Sequence, residues 1–592
     1  ALAIPVSLIG TFFIMYLMDF SINILTLLGI VLAIGLVVDD AIVVLENIYT
    51  KIEQGMSPMQ AGIEGSKEIF FAVVATTVAL VAVFLPVVFL DGLTGRLFRE
   101  FGIVIAGSVA ISAFVALTLT PMLSTRMIKH RKHGRFYEIT EKFFIRLSES
   151  YRDSLTTFLR RRWLAPVIMV ASFGLIYVLG TTLQSELAPM EDRSRLRVVV
   201  TAAEGSTFDY THTYMDLLAN QVRDSLKENI GVIQNVGGGG GGSATNSGNL
   251  TVVLSDPGTR ERSQQEIAEG LTKQVSKLSG ARVIVTQEPT IGDRRGGLPV
   301  QFVLQTSTFE KLAETLPRFM EAAGADQTFS TVDVNLKFNK PELRVEIDRD
   351  KARSMGVSVI DVAQTLQMSF SEQRLGYFVH SGKQYQVLGG FERVDRNDPR
   401  DILSTYIRAR DGSLVQLDNV VDITDETGPP QLYRTNRFVS ATVSAGLSPG
   451  KTIGDGIIAM QRVADSTLDE SFTTSLAGSA RDYAESSSSI AFAFLFALVL
   501  IYLVLAAQFE SFRDPFTILL TVPLALLGAL LSLWYFDQTL NIFSQIGIIM
   551  LVGLVTKNGI LIVEFANQRR EHGLNVRDAI IDASTSRFRP IL

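Results

Sequence analysis

An apolar run that carries two adjacent carboxylates decides how this chain folds: residues 22–47 read INILTLLGIVLAIGLVVDDAIVVLEN, with Asp39 and Asp40 inside it. Apolar runs of about 18 or more residues predict membrane-spanning helices. A charged side chain near the centre of such a helix costs at least about 2.5–3.5 kcal/mol on insertion scales. Two carboxylates at this place therefore predict a function or a partner of opposite charge.

The composition favours a protein that crosses the membrane several times. The chain has 592 residues, of which 47% are hydrophobic, and the apolar residues are clustered rather than dispersed. Because cysteine is absent, disulfide bonds and thiolate metal sites are excluded. The expected spanning segments are 1–18, 22–48, 69–90, 101–123, 163–183, 488–507, 515–536 and 543–566.

Lysine and arginine residues cluster in segment 124–162, which indicates a cytoplasmic segment, since short cytoplasmic loops are enriched in basic residues. Its apolar residues recur at helical spacing. This predicts an amphipathic helix on the inner leaflet, with packing on a partner as the alternative. Counting spans from this anchor places 184–487 outside. Short alternating strand and helix patterns there predict α+β subdomains of split-βαβ, ferredoxin-like type, and 360–424 is a less regular inserted lobe.

An internal repeat relates the two ends of the chain. Residues 519–565 align with residues 1–47 without a gap, so that Lys557 meets Asp39. Such a repeat predicts duplicated transmembrane halves of one orientation, as in some transporters. Equal register implies equal depth in the bilayer. We therefore expect one ammonium group to lie opposite two carboxylates.

The charges of these residues do not balance. Buried charges are paired or change their protonation state, and Lys557 neutralises only one of Asp39 and Asp40. The second carboxylate must bind a proton, or the pair must exchange partners as protons come and go. We interpret the three residues as a proton relay, with a static ion cluster as the alternative.

The motifs around these residues resemble those of the resistance–nodulation–division family of proton-driven efflux pumps, in particular its hydrophobe/amphiphile (multidrug) branch. The matching motifs are GLVVDDAIVVLENI, GLVTKNGILIVEFA, LAAQFESFRDPF and FRPIL. The resemblance covers essentially the whole chain and implies a fragment that runs from the third span into the start of the eleventh. It implies the relay roles of Asp39, Asp40 and Lys557, and it adds Arg587 as the eleventh-span arginine of the same relay.

The resemblance also implies a division into domains and a set of partners. The expected order is first-half membrane helices (1–123), cytoplasmic linker (124–162), seventh span (163–183), periplasmic porter subdomains (184–359), docking lobe (360–424), return of the porter (425–487) and second-half membrane helices (488–592). The whole protein would be a homotrimer in the inner membrane of a Gram-negative bacterium, joined to a periplasmic adaptor protein and an outer-membrane channel protein. It would export small amphiphilic substrates, using the proton motive force, with no cofactor and no nucleic acid.

One segment departs from the family pattern. Where multidrug members carry phenylalanines in the drug pocket and switch loop, this chain has six consecutive glycines: Gly237, Gly238, Gly239, Gly240, Gly241 and Gly242. Glycine gives backbone freedom without apolar or stacking surface. We expect a moving gate loop on the substrate path rather than a binding surface, with an inert connector as the alternative.

Other classes of protein fit less well. The phosphate loop of an ATP-driven enzyme needs GxxxxGK[ST], and AGLSPGKT at 445–452 has one residue too few between its glycines. A heavy-metal efflux pump needs soft ligands along a path, whereas cysteine is absent and the methionines outside the membrane are scattered. A non-transporting receptor or scaffold on the same membrane fold would not need the intact charged set. We therefore expect a secondary transporter rather than an enzyme.

Overall fold

The computed structural model describes residues 2–127, 135–237, 245–291 and 297–591. Long apolar helices occupy both ends of the chain, and short helices and strands occupy the region between them. Within the described residues, seven helices are long and apolar enough to cross a membrane. The expected first span corresponds to a helix of 15 residues, Ala3–Leu17, which is apolar but shorter than these seven.

The N-terminal helices follow one another with short connections. They are α1 (Ala3–Leu17), α2 (Ile24–Glu53), α3 (Pro58–Val88), α4 (Gly92–Met127), α5 (Arg135–Arg160) and α6 (Leu164–Thr182). Helix α2 begins where the Asn23 side chain accepts hydrogen bonds from the backbone N–H groups of Leu25 and Thr26, both at 3.0 Å. These bonds satisfy donors that have no partner in the first helical turn, so the start of α2 is fixed.

The first part of the middle region contains one four-stranded antiparallel sheet and two helices. Its elements are β1 (Arg195–Ala202), α7 (Phe208–Ser225), β2 (Asn229–Val236), β3 (Ser247–Leu254), α8 (Gln264–Val275) and β4 (Ala281–Gln287). The strand order is β2-β3-β1-β4. Alternate residues of β1 and β3 are buried, because one face of the sheet is covered by the helices. Val198, Leu218 and Ile267 lie in their shared core.

Residues 297–477 contain a second sheet and an insertion. Their elements are β5 (Val300–Thr306), α9 (Phe309–Ala325), β6 (Phe329–Val334), β7 (Lys340–Ile347), α10 (Arg349–Ser354), α11 (Val359–Phe370), β8 (Gln373–His380), β9 (Lys383–Gly389), α12 (Arg400–Ser404), β10 (Tyr406–Arg408), β11 (Leu414–Gln416), β12 (Val421–Gly428), β13 (Arg434–Thr435), β14 (Phe438–Leu447), α13 (Ile453–Thr467) and β15 (Thr473–Ala477). The strand order is β13-β14-β5-β15, and β6 also pairs with β14. Phe302, Phe319 and Met460 fill the core between this sheet and its helices.

The insertion lies between β6 and β14. Strands β7 and β12 pair as an antiparallel ribbon in which Lys340 meets Gly428, and this ribbon carries the inserted elements, among them the hairpin β8–β9. The inserted elements have a small core of their own, which includes Val362, Ile407 and Leu417. The insertion is therefore a distinct lobe on a two-stranded stalk.

The C-terminal part of the chain is again helical. Its helices are α14 (Gly478–Phe509), α15 (Arg513–Leu519), α16 (Val522–Tyr535), α17 (Ile542–Glu571) and α18 (Val576–Ile591). Helices α15 and α16 together make one apolar span, Arg513–Tyr535. Helix α17 has 30 residues, as α2 has, and it begins after Asn541, whose side chain caps it as Asn23 caps α2. The two helices therefore present their residues in the same register.

Helices from both ends of the chain share one membrane core. Val83 of α3, Ile105 of α4, Ile501 of α14 and Ile549 of α17 belong to it. In contrast, α6 packs mainly on α16, and only 11% of its apolar stretch is buried by the rest of the described chain. Several helices extend beyond the apolar windows read from the sequence: α3 begins at Pro58, not at 69. Helical hydrogen bonding continues past the apolar boundary wherever no breaker intervenes.

Candidate functional site

The two aspartates of the opening motif and the lysine of the repeat meet between α2 and α17. Lys557 Nζ lies 2.7 Å from Asp40 Oδ1 and 3.0 Å from Asp39 Oδ2. Both distances are those of charge-assisted hydrogen bonds. Asp39 and Lys557 follow their capping residues Asn23 and Asn541 by the same number of residues, which is why the two side chains lie at equal depth.

The three side chains differ in their exposure. Lys557 is 2% exposed and Asp40 is 3% exposed, whereas the side chain of Asp39 is 36% exposed. A buried ion pair is stable only when its geometry is good and further hydrogen bonds satisfy its atoms. The Lys557–Asp40 pair is therefore the enclosed part of the cluster, and Asp39 is its open side.

A serine on a third helix completes the surroundings of Asp40. The Ser112 hydroxyl of α4 donates a hydrogen bond to the Val37 carbonyl of α2 at 3.0 Å, and Val37 precedes Asp40 by about one helical turn. Ser112 is 2% exposed. The sequence analysis missed this residue. Its signal was a small polar side chain inside the apolar run of α4, but several serines and threonines share that signal.

Arg587 lies apart from the carboxylate pair. Its guanidinium carbon lies 3.5 Å from the ring centroid of Phe565, which is a cation–π contact. Phe565 is two turns beyond Lys557 on α17, about 12 Å along the helix axis. The carboxylates that interact electrostatically with Arg587 are those of Glu46 and Glu68. The structure thus brings together three of the four expected relay residues, and the relay role of Arg587 stays a prediction.

Arg587 is nevertheless enclosed. It is 5% exposed, and its Nε makes no hydrogen bond to any described residue. A buried guanidinium donor without a partner is costly, so a position of this kind is expected to have a function or a bound water. The ring of Phe565, which the sequence analysis did not single out, supplies the contact that holds the arginine.

The glycine run lies in the connection between β2 and β3. Gly237 has a φ of +85°, a left-handed conformation that favours glycine, and its N–H donates to the Ser247 carbonyl at 2.9 Å. Gly238, Gly239, Gly240, Gly241 and Gly242 lie outside the described residues. The gate role of this loop therefore stays a prediction.

The described residues do not form a metal site. Across residues 2–127, 135–237, 245–291 and 297–591, no group of three or more histidine, aspartate or glutamate side chains is placed to hold a metal ion. The charged cluster contains two carboxylates with an ammonium group between them, and an ammonium group at that distance repels a cation. The described cluster therefore does not have the arrangement of a metal site.

Comparison with known proteins agrees with this membrane architecture. Residues 1–592 match the profile of the AcrB/AcrD/AcrF family. An uncharacterized transporter of Haemophilus influenzae is 35% identical over 601 aligned residues, which cover 100% of this chain and 58% of that relative. The chain thus spans little more than half the length of this curated relative. With its apolar helices, the chain is that of a multi-pass membrane protein, and it belongs to the AcrB/AcrD/AcrF family of resistance–nodulation–division permeases.

Proposed function

We propose that this chain is the central part of a proton-driven exporter of hydrophobic or amphiphilic compounds. The observation that carries the proposal is one ammonium group between two carboxylates inside a membrane bundle, with Lys557 Nζ at 2.7 Å from Asp40 and 3.0 Å from Asp39. With both carboxylates ionised, the cluster has one net negative charge. A proton on either carboxylate makes it neutral, so proton binding changes how strongly Lys557 holds each partner.

The unequal exposure of the two carboxylates gives each a separate role in this mechanism. Asp39, at 36% exposure, is the group that exchanges protons with water, whereas Asp40, at 3%, holds Lys557 where water is excluded. Because α2 and α17 come from opposite ends of the chain, a change in the ion pairs changes the attraction between the two ends. This is the step by which proton binding would move the helices.

The duplication of the membrane halves is part of the proposal. Helices α2 and α17 have equal lengths and the same asparagine capping box. Each follows a non-glycine residue of positive φ at the equivalent position, Asp19 at +55° and Asp537 at +51°. Shared backbone detail of this kind supports two copies of one ancestral unit, of which only one retained the carboxylate pair.

The region between the membrane halves would form the substrate path. The sequence of elements β1-α7-β2-β3-α8-β4, with strand order β2-β3-β1-β4, supports a split-βαβ subdomain. The second sheet repeats the arrangement, with α9 and α13 as its helices and β6-β14-β5-β15 as its order. We assign these two subdomains to a periplasmic porter and the lobe between β7 and β12 to docking.

The partners follow from the same assignment. The whole protein would be a homotrimer in the inner membrane of a Gram-negative bacterium, and its docking lobe would meet an outer-membrane channel with the help of a periplasmic adaptor. The proton motive force would supply the energy, and no cofactor is needed. The substrate class is the hydrophobe/amphiphile class, and the glycine run supplies no aromatic side chain for a drug pocket at that loop.

Expression of the full-length protein in an efflux-deficient host tests the function. The lowest inhibitory concentrations of chemically different amphiphiles should rise, and Asp40→Asn should abolish the rise. The matched control is Asp19→Asn, the same chemical change at an exposed residue whose positive φ asparagine also adopts readily. Unchanged resistance with Asp40→Asn would contradict proton coupling at this site, and resistance to metal ions alone would contradict the substrate class.

A further inference from the structure

Three consecutive arginines lie at the connection between α5 and α6. Arg160 ends α5, and Leu164 begins α6. The connection is tight: the Arg161 N–H donates to the Phe158 carbonyl at 2.9 Å, and the Leu164 N–H donates to the Arg161 carbonyl at 3.0 Å. All three arginine side chains, from Arg160 to Arg162, are exposed. The backbone that carries the three arginines is therefore held in a tight turn, which keeps their side chains in one region of the surface.

These arginines have no protein counter-ion among the described residues. No carboxylate oxygen of a described residue lies within 4.0 Å of the guanidinium groups of Arg160, Arg161 or Arg162, whereas some other exposed arginines, such as Arg344 and Arg481, are paired. Three like charges that are adjacent repel one another unless an anion lies between them. The described part of the chain therefore supplies no counter-ion for the three arginines, and an anion from elsewhere would stabilise them.

The cluster lies at the level where a membrane surface is expected. Helix α6 is apolar, and only 11% of its apolar stretch is buried by the described chain, so most of its surface is free to contact lipid. Trp163, directly before α6, is 62% exposed. Tryptophan is enriched where the hydrocarbon region meets the polar headgroups. The arginines thus directly precede Trp163 and the apolar helix, which is where lipid phosphates are expected.

The preceding helix has a matching apolar surface. On α5, Phe143 is 62% exposed, Ile145 is 47% exposed and Phe158 is 38% exposed. The same helix is held against α18 by Tyr151, whose ring stacks on Phe588 at 4.4 Å between centroids. A helix that is fixed to the bundle, yet keeps apolar side chains exposed beside basic ones, suits the interface of an anionic membrane.

We propose that Arg160, Arg161 and Arg162, with Trp163, bind the phosphate of an anionic phospholipid in the leaflet on the α5 side. The guanidinium groups contact the phosphate, which they recognise in a bidentate manner. The indole ring lies at the glycerol level, and the acyl chains run along the exposed surface of α6. This site is independent of the substrate and of the proton relay.

Native mass spectrometry of the full-length protein in detergent, titrated with phosphatidylglycerol, tests the site. Each basic residue near an anionic surface is worth about 1 kcal/mol, or about a fivefold change in affinity. The triple variant R160Q/R161Q/R162Q should therefore bind on the order of 100-fold more weakly. The matched control K273Q/K311Q/R318Q removes three exposed cations of the middle region and should bind as the native protein does.

Further measurements separate the outcomes. Phosphatidylcholine should not saturate the site, because its headgroup has no net charge, and inorganic phosphate should not compete at equal concentration, because it has no acyl chains to pack on α6. Equal competition by inorganic phosphate, or unchanged phosphatidylglycerol binding by the folded triple variant, would overturn the proposal. The single variant Arg161→Gln decides the matter if the triple variant does not fold: a fivefold loss supports the site, and no loss overturns it.

Discussion

Replacing Lys557 with methionine should leave two carboxylates in the membrane core without a counter-ion. Methionine keeps most of the length and the apolar stem of lysine, so the change removes the charge with little change in packing. Lys557 Nζ lies 2.7 Å from Asp40, and both groups are at most 3% exposed. The carboxylate of Asp40 would therefore remain buried and unpaired.

The size of this effect follows from the burial of the pair. Removing one partner of a buried ion pair costs about 3–5 kcal/mol, because an uncompensated charge is left behind. The double variant Asp40→Asn/Lys557→Met removes both charges of the pair and leaves Asp39, whose side chain is 36% exposed, as the one carboxylate of the cluster. We expect the double variant to lose less free energy of unfolding than the two single variants lose together, by about 0.5–3 kcal/mol.

Unfolding of the purified protein in mixed detergent micelles, with increasing dodecyl sulfate, measures these free energies. The comparison includes the native protein, the two single variants Asp40→Asn and Lys557→Met, and the double variant. Only the native protein should transport, even though the double variant recovers stability. Recovered stability without recovered transport separates the structural role of the charges from their role in coupling. Additive single effects, with no coupling within the error of the titration, would refute the reasoning that Asp40 and Lys557 form one buried pair.

Three further predictions concern single features of the chain. Ser112→Ala should lower the free energy of unfolding by about 1 kcal/mol, because it removes one buried hydrogen bond between α4 and α2; unchanged stability in the dodecyl sulfate titration would contradict this contribution. A cysteine at exposed Ser307 should react with an impermeant thiol reagent in spheroplasts, and one at exposed Ser150 should not; the chain has no other cysteine, and the opposite labelling would invert the topology. Gly238→Ala with Gly240→Ala should slow export of every substrate if the loop is a gate, and uniform normal export would identify an inert connector.

The repeat made the meeting of Asp39 and Lys557 predictable from the sequence. Two helices in the same register, each started by an asparagine cap, place equivalent residues at the same depth. Charge then indicates which of those residues must face each other, because an unpaired ion in the membrane is costly. Depth and charge together were sufficient for this contact, although the proton-relay role itself still awaits measurement.

Rotation about a helix axis was not predictable in the same way. Arg587 has no counterpart in the repeat. Its motif therefore indicated a role but not its neighbours, and the structure shows that it contacts the ring of Phe565. Ser112 is one of several small polar residues in α4, and only packing against Val37 distinguishes it. The sequence gives the depth of a side chain in a spanning helix, whereas its direction depends on how neighbouring helices pack.

The central claim is that proton flux and export share the cluster of Asp39, Asp40 and Lys557. The full-length protein is reconstituted in liposomes that contain a pH-sensitive dye, and a fluorescent amphiphile and a pH gradient are then supplied. The dye reports the proton flux, and the amphiphile reports export in the same experiment. The native protein should move protons only while substrate moves, and Asp39→Asn, Asp40→Asn and Lys557→Met should each abolish both fluxes. Substrate-coupled proton flux at near-native rate in any one of the three variants would contradict the account.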